Sequence, residues 1–319
     1  MTKRINGLVA APFTAMNPDG GLNLDMIERQ ARALVDNGVT GAFICGTTGE
    51  GMSLSMDERL QLAERWMAVA PRSLRVIVHV GHHTVGESRT LAAHAEKIKA
   101  HAFATIGPTF FRATNVEQLV EFSAQIAAGA PNLPFYYYHM PAMVGVELPM
   151  YEFLKLASKR IPNLAGLKFT HENLMDYNRC LNFEGGRYDI LWGRDEILLA
   201  ALAFGATGAV GSTYNYMARC YHRVLSAFKV GDWEAARRAQ SQAIEVIAIM
   251  SRRGGLAAGK AMMKLIGLDC GPVRAPLQNL SPEAFESLAR ELERVGFPKT
   301  LAETDARPSP EALETVIPK

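Results

Sequence analysis

The stretch LAGLKFT (Leu164–Thr170) is an apolar run that contains a single charged residue, Lys168. A run that is apolar throughout, without alternation of apolar and polar residues, is typical of a strand covered on both faces, as in a parallel sheet. A lysine is rarely fully buried, because its ammonium group prefers water. If Lys168 is buried, its pKa falls and the neutral amine can form a Schiff base with a ketone. The alternative is a lysine that simply emerges at a strand end.

Seven more short apolar runs alternate with longer amphipathic stretches. The strand candidates are GLVAAPF (7–13), GAFIC (41–45), RVIVHV (75–80), FATIGP (103–108), PFYYYH (134–139), LAGLKF (164–169), DILWG (189–193) and GAVGS (208–212). The amphipathic stretches predict helices, and Ser55 with Glu58 three residues later forms a capping box. Eight successive β–α units predict an α/β fold of the (β/α)8 TIM barrel type. A doubly wound open sheet is the alternative, but no glycine fingerprint follows the first strand.

The predicted domain organisation follows from where this alternation stops. Residues 1–214 contain the barrel strands and the catalytic face. Residues 215–298 read as helices throughout and predict a C-terminal helical extension that completes the barrel. The remaining segment, 299–319, is polar and contains prolines, which predicts a flexible tail.

Composition and charge narrow the class of protein. The chain has 319 residues, of which 48% are hydrophobic and 21% charged, as in an ordinary soluble globular protein. A net charge of +2 without a dense basic run gives no reason to expect a nucleic-acid partner. No apolar stretch approaches the ~18 residues of a membrane span, and the apolar run near the N-terminus is broken by Pro12, unlike a signal peptide. Four cysteines without CxxC spacing predict reduced thiols in a cytoplasmic protein: Cys45, Cys180, Cys220 and Cys270.

Polar and glycine-rich segments follow several of the predicted strands. In a TIM barrel the carboxyl ends of the strands form the active site. Strand two leads into GTTGEG (46–51), strand five ends at Tyr138, strand six holds Lys168 and Thr170, strand seven ends in GRDE (193–196), and strand eight in GST (211–213). The sequence therefore predicts that these residues meet at one face of the barrel.

Two of these segments have both a binding and a structural interpretation. The hydroxyls and backbone N–H groups of GTTGEG suit a carboxylate or phosphate, although turns of this composition are common in loops. Asp195 and Glu196 could hydrogen-bond a polyol or could cap the helix that follows. Tyr138 could supply a phenol beside the Lys168 amine to move protons.

Two other motifs have features of functional sites. GGLAAGKA (254–261) matches a phosphate-binding loop up to its lysine, but Ala261 stands where Ser or Thr must bind magnesium, and no strand precedes it. His79, His82 and His83 cluster at the end of strand three and raise the alternative of a metal-dependent aldolase. No acidic ligand stands near them, so we predict no metal.

Together these motifs resemble the superfamily of pyruvate-dependent class I aldolases that contains dihydrodipicolinate synthase and N-acetylneuraminate lyase. The resemblance extends from about residue 5 to about residue 295. Its motifs are GTTGE, the YxxP of Tyr138–Pro141, GLKFT around Lys168, and GATGAVGST (205–213). It implies a TIM barrel, a lysine Schiff base and no cofactor.

Within the superfamily the chain is more similar to the lyase branch. The synthase has an arginine two residues after the YxxP proline, where this chain has Met143, and a tyrosine after strand four, where this chain has Phe110 and Phe111. The segments FYYYHMPAMVGV, GLKFTHENLMDY, GATGAVGSTYNY and WGRDE look like those of the lyase. Arg194 occupies the variable position of the last motif, which leaves the substituents of the substrate tail open.

The resemblance implies reversible cleavage of sialic acid to pyruvate and N-acetylmannosamine. Lys168 would be the nucleophile and Tyr138 the proton relay. The residues implied in substrate binding are Thr47, Thr48, Thr170, Gly193, Asp195, Glu196, Gly211 and Ser212. A homotetramer with a small-molecule substrate is expected. The alternatives are an aldolase for another 2-keto-3-deoxy sugar acid, a dihydrodipicolinate synthase-like enzyme, and a barrel that binds a keto acid as a sensor without turnover.

Overall fold

The computed structural model describes residues 4–297, in which eight parallel strands close into a barrel in chain order. The strands are β1 Gly7–Ala10, β2 Gly41–Ile44, β3 Arg75–His79, β4 Ala102–Ile106, β5 Phe135–His139, β6 Leu164–Phe169, β7 Asp189–Trp192 and β8 Gly208–Gly211. β1 pairs with both β2 and β8, which closes the sheet. The predicted TIM barrel is therefore confirmed, and the open-sheet alternative is wrong.

Helices follow the strands and cover the barrel. They are α1 Asp25–Asp36, α2 Met56–Val69, α3 Val85–Lys97, α4 Val116–Ala127, α5 Pro141–Val144, α6 Met150–Arg160, α7 Leu174–Asn182 and α8 Leu198–Ala203. Ser55 accepts from the Glu58 N–H while the Glu58 side chain accepts from the Ser55 N–H, which confirms the predicted capping box. The side chains of Thr84 and Asn115 cap α3 and α4 in a similar way.

Several strands are shorter than the apolar runs that predicted them. β1 ends at Ala10 instead of Phe13, partly because Pro12 has no N–H to donate to a neighbouring strand. β4 ends at Ile106 and β8 at Gly211. The residues beyond these ends are buried or partly buried and belong to loops, which places their side chains and backbone groups at one end of the barrel.

The register between β5 and β6 places Tyr138 directly beside Lys168. Side chains of a strand alternate between its two faces, so a one-residue slip in this register would separate the phenol from the amine. At the other end of the barrel, Asp189 accepts hydrogen bonds from the Ile5 N–H and the Tyr136 hydroxyl, both within 2.9 Å. Burial raises the pKa of Asp189 to about 6.

Four further helices follow β8: α9 Tyr214–Lys229, α10 Trp233–Arg252, α11 Leu256–Leu265 and α12 Pro282–Arg294. They correspond to the predicted C-terminal helices, while the division of the chain at residue 215 stays a prediction. The predicted tail, 299–319, lies outside the described residues. All four cysteines are free and buried. Between residues 4 and 297 no helix is both long and apolar enough to cross a membrane.

Candidate active site

A cavity of about 270 Å³ opens at the carboxyl ends of the strands. All ten residues that the sequence analysis assigned to the site line it: Thr47, Thr48, Tyr138, Lys168, Thr170, Gly193, Asp195, Glu196, Gly211 and Ser212. They come from five different strand ends, as expected for a TIM barrel site. The structure thus brings the predicted residues together, while their individual roles remain predictions.

The Lys168 amine is enclosed by aromatic rings. Its side chain leaves β6 with only 4% of the residue exposed, and Nζ lies 4.1 Å from the ring centroid of Phe43 and 3.9 Å from that of Tyr138. Burial lowers the pKa of Lys168 to about 7, and the nearby Asp195 carboxylate acts in the opposite direction. The alternative of a solvent-exposed lysine is therefore wrong. A substantial fraction of the amine is neutral near pH 7 and can act as a nucleophile.

The Tyr138 phenol lies at the end of β5 next to this amine. Its hydroxyl is 3.4 Å from Thr47 Oγ1 and donates a hydrogen bond to Met140 Sδ. Burial raises the pKa of Tyr138 to about 12, and the hydrogen bond with Thr47 opposes this shift. A thioether is a weak acceptor, so the phenol can exchange it for a polar group of a ligand.

The GTTGEG turn follows β2 and is held by its own backbone. The Glu50 N–H donates to the Thr47 carbonyl, and the Gly51 N–H donates to the Gly46 carbonyl. Within residues 4–297 no backbone or side-chain acceptor takes the N–H groups of Thr47 and Thr48. Two adjacent N–H groups without an acceptor, beside two hydroxyls, form a site suited to an anion such as a carboxylate.

Two glycines allow the strand ends to approach closely. A Cβ atom at Gly193 would lie 1.8 Å from Thr170 Oγ1, and one at Gly211 would lie 2.7 Å from Asp195 Oδ2. Any larger residue at either position would push the ends of neighbouring strands apart. These two glycines therefore shape the cavity wall through their lack of a side chain.

Asp195 and Glu196 follow β7 and differ in their surroundings. Asp195 is buried, and its Oδ2 accepts hydrogen bonds from both the N–H and the hydroxyl of Thr213. Glu196 is partly exposed and lies 3.0 Å from a guanidinium nitrogen of Arg194, which also contacts Glu172. Burial, with the Asp195 carboxylate as a second cause, raises the pKa of Glu196 to about 7. Both acids lie in the turn that leads directly into α8, although neither side chain forms a capping hydrogen bond there, so the helix-end interpretation stays open beside the binding one.

The sequence analysis missed part of the cavity. Phe43 contacts the Lys168 amine without lining the cavity, and it lies within an apolar strand, where nothing distinguishes it from a core residue. Helices α10 and α11 also contribute to the wall, although the sequence presents them only as packing elements. Their lining residues, with the loop between them, are Ile247, Met250, Ser251, Gly255 and Leu256. The double glycine Gly254–Gly255, which separates the two helices at positive φ, was the available signal.

The GGLAAGKA segment and the histidine cluster after β3 both make contacts within the protein. Lys260 of the GGLAAGKA segment lies within α11, buried against Glu50, and no strand precedes it. His79 contacts the Cys45 carbonyl, and His82 lies 2.6 Å from Glu87, so the expectation that no acidic residue stands near these histidines is wrong. In the described part of the chain no three His, Cys, Asp or Glu residues are grouped as metal ligands.

Three residues that favoured the lyase branch over the synthase branch in the sequence lie on the surface. Phe110 and Phe111 follow β4 and are 84% and 86% exposed, with ring centroids 5.0 Å apart. Met143 in α5 is 59% exposed. None of the three lines the cavity. An uncharged Met143 supplies no cation for a second carboxylate at this edge of the barrel.

Comparisons with known proteins agree with this geometry. The model of the dihydrodipicolinate synthetase family matches residues 4–295. An N-acetylneuraminate lyase of Gallus gallus is 44% identical over 301 residues, covering 93% of this chain and 98% of that protein. The structure is also similar to the Proteus mirabilis N-acetylneuraminate lyase, with a TM-score of 0.90, 41% identity, and coverage of 92% of this chain and 100% of that one. A solved N-acetylneuraminate lyase (sialic acid aldolase) from Aliivibrio salmonicida has a TM-score of 0.90 and 42% identity, covering 92% and 98%. With its family model matched over nearly the whole chain and its barrel carrying the expected motifs, this protein belongs to the dihydrodipicolinate synthetase family.

Proposed function

We propose that this protein catalyses the reversible aldol cleavage of N-acetylneuraminate to pyruvate and N-acetylmannosamine through a Schiff base on Lys168. The observation that carries the proposal is the Lys168 amine itself, which is buried between two aromatic rings, has a pKa of about 7 and lines the cavity at the carboxyl ends of the strands. The choice of sugar is supported by the names of relatives that are 41–44% identical over more than nine-tenths of the chain.

Substrate binding begins at the GTTGEG turn. The carboxylate of the 2-keto acid accepts from the N–H groups of Thr47 and Thr48 and from a threonine hydroxyl. This holds the C2 ketone beside Lys168 Nζ, and fixing two reactants in this way removes much of the entropic part of the barrier. The hydroxyl-rich tail extends along Thr170, Gly193, Glu196 and Ser212.

The chemistry then requires only the amine and proton transfers. The Lys168 amine adds to C2, and the carbinolamine loses water to give a protonated imine. The C4 hydroxyl gives up its proton, and the C3–C4 bond breaks. Its electron pair moves toward the iminium, which becomes an enamine, and C4 leaves as the aldehyde of N-acetylmannosamine. Protonation at C3 and hydrolysis release pyruvate and restore the lysine.

Tyr138 relays protons in these steps. With a pKa of about 12 the phenol is a poor base at neutral pH. It therefore passes a proton between the substrate carboxylate, the carbinolamine and the C4 hydroxyl instead of removing one unaided. Thr47 Oγ1, at 3.4 Å from the phenol oxygen, connects this relay to the carboxylate-binding turn.

A second candidate is an aldolase for another 2-keto-3-deoxy sugar acid. The observation in its favour is Arg194, whose guanidinium lines the cavity between Glu172 and Glu196 and adds a charged group at the tail end. Both candidates use Lys168 and Tyr138, so a panel of sugar acids separates them by their kcat/KM values. A synthase-like reaction is disfavoured by Met143.

The assembly and location of the protein belong to the same proposal. We infer a homotetramer, supported by the resemblance to the family and by the exposed aromatic pair Phe110 and Phe111. A cytoplasmic location is supported by the four free, buried cysteines, because thiols stay reduced in that compartment.

Borohydride trapping with pyruvate tests the mechanism directly. Intact-mass measurement should show one reduced pyruvyl group on the wild type and none on Lys168→Ala, whose turnover should fall to background while its circular dichroism is unchanged. The exposed lysine variant Lys155→Ala is the control and should be labelled like the wild type. An adduct on Lys168→Ala, or none on the wild type, would contradict the proposal.

A further inference from the structure

A buried ion pair joins the GTTGEG turn to the C-terminal helices. Lys260 Nζ of α11 lies 2.8 Å from Glu50 Oε1, and the two side chains are 3% and 1% exposed. Removing two charges from water is costly, and their mutual attraction offsets this cost only when the geometry and the remaining hydrogen bonds are good. A gain in stability alone therefore does not explain why this ion pair is present.

Each of the two groups has one further hydrogen-bond partner. Lys260 Nζ donates to the Pro272 carbonyl at 2.5 Å, and the Arg274 N–H donates to Glu50 Oε2 at 2.8 Å. The Arg274 guanidinium binds Glu58 of α2 and the Ser53 carbonyl. The carboxylate of Glu50 is thus held from two sides by residues more than two hundred positions later in the chain.

The backbone of Glu50 is in a conformation that needs such support. Its φ of 53° lies in the left-handed region, which residues other than glycine rarely adopt. Strain of this kind persists only where surrounding contacts fix it, and it is concentrated at functional sites. At Glu50 those contacts are the Lys260 ammonium and the Arg274 N–H.

The conformation of Glu50 is transmitted to the threonines of the turn. The Glu50 N–H donates to the Thr47 carbonyl at 3.0 Å. The next residue, Gly51, packs closely against the end of β2, where a Cβ atom would lie 1.9 Å from the Cys45 carbonyl, and its N–H donates to the Gly46 carbonyl at 3.1 Å. The Thr47 carbonyl shares a peptide group with the Thr48 N–H, and the Gly46 carbonyl shares one with the Thr47 N–H, so these two hydrogen bonds connect the backbone of Glu50 and Gly51 to both N–H groups. Lys260 itself does not line the active-site cavity.

We infer that the Glu50–Lys260 ion pair is a positioning lock for the carboxylate-binding turn. Lys260 sets the affinity for the carboxylate of the 2-keto acid without touching it. This inference rests on the proposed function, in which the Thr47 and Thr48 N–H groups bind that carboxylate. It also gives the lysine of the GGLAAGKA segment a role that does not involve phosphate.

The condensation of pyruvate with N-acetylmannosamine tests the lock, because pyruvate has a carboxylate and N-acetylmannosamine does not. A change confined to the KM for pyruvate therefore reports on the carboxylate-binding turn. Lys260→Met keeps most of the side-chain length and removes the charge. It should raise the KM for pyruvate by about tenfold to a hundredfold, as expected for a small misplacement of binding groups. The KM for N-acetylmannosamine should stay within about twofold.

A double variant guards against misfolding. Lys260→Met alone leaves a buried, unpaired carboxylate, whereas Glu50→Gln with Lys260→Met removes both charges and should fold well. The double variant should still show the raised KM for pyruvate. Lys264→Met, one turn along α11, removes an exposed lysine paired with Asp269 and is the matched control. It should leave both KM values unchanged.

The outcomes separate this inference from the proposed function. If borohydride traps pyruvate on the wild type and the double variant has the wild-type KM for pyruvate, the lock is wrong and the proposed function stands. A parallel rise in both KM values would also overturn the lock. An ion pair that only stabilises the fold would affect the binding of both substrates, whether or not they have a carboxylate. If the wild type traps no pyruvate, the proposed function itself fails.

Discussion

At the scale of single residues, Lys168 shows how neighbours determine chemistry. The same side chain on the surface, as in Lys155, reaches into water and pairs with Glu152. Enclosed between the rings of Phe43 and Tyr138, it loses water, and the pKa of its amine falls to about 7. Asp195 is the opposing influence, because its carboxylate stabilises the ammonium form. The resulting pKa determines what fraction of the Lys168 amine is neutral and can attack a ketone.

The pKa of Lys168 predicts the pH dependence of adduct formation. Only the neutral amine adds to a ketone, so the rate of borohydride trapping at low pyruvate concentration should fall about tenfold for each pH unit below about 7. Asp195→Asn removes the charge that raises this pKa, so the inflection should move to lower pH. Glu196→Gln serves as the control and should leave the inflection in place. A rate that does not change across this range would show that the amine titrates elsewhere.

At the scale of secondary structure elements, the site depends on how closely strand ends approach. Gly193 after β7 contacts Thr170 after β6, and Gly211 in β8 contacts Asp195. Thr213 then fixes the Asp195 carboxylate through its N–H and hydroxyl. The glycines thus let short polar loops from three strands form one wall, which larger side chains would separate.

Gly193→Ala tests this packing. The new methyl group would lie 1.8 Å from Thr170 Oγ1, so the loops must move apart, and we expect a loss of about 1–3 kcal/mol in the free energy of unfolding and lower activity. Urea denaturation measures the first and a lyase assay the second. Gly86→Ala in α3, where a Cβ atom meets nothing within 4 Å, should be neutral or slightly stabilising. Equal stability of the two variants would contradict the steric argument.

At the scale of the whole molecule, one group of exposed apolar side chains lies on two neighbouring segments, the loop after β4 and helix α5. We call it the aromatic face; it consists of Phe110, Phe111 and Met143. The loop after β4 and helix α5 lie side by side, since the Arg112 guanidinium occupies the space next to Gly145. Large apolar side chains exposed together indicate an interaction surface.

We expect the aromatic face to mediate contact between copies of the chain in the proposed tetramer. Replacing both Phe110 and Phe111 by serine removes most of its apolar surface and should shift the protein to a smaller species in sedimentation velocity. Val230→Ser changes a similarly exposed apolar residue at the end of α9 and should not alter the assembly. A wild type that sediments as a monomer would remove the basis of this expectation.

Much of the protein followed from its sequence. Eight continuous apolar runs separated by amphipathic stretches specify a parallel barrel, because only a sheet covered on both faces buries such strands. The barrel in turn fixes which ends of the strands carry the site, so Lys168, Tyr138 and the GTTGEG turn were predicted to meet, and they do. These inferences depend on local periodicity and on one topological rule, both of which a single chain reveals.

Only the tertiary structure decided the details that give the site its chemistry. The register that places Tyr138 beside Lys168 is set by the packing of the whole barrel, because a pattern that is apolar throughout does not distinguish one register from the next. Phe43 shares its strand with equally apolar neighbours, so its contact with the amine is visible only in three dimensions. The pair of Glu50 and Lys260 spans more than two hundred residues, and no local pattern records a contact that chain folding alone creates.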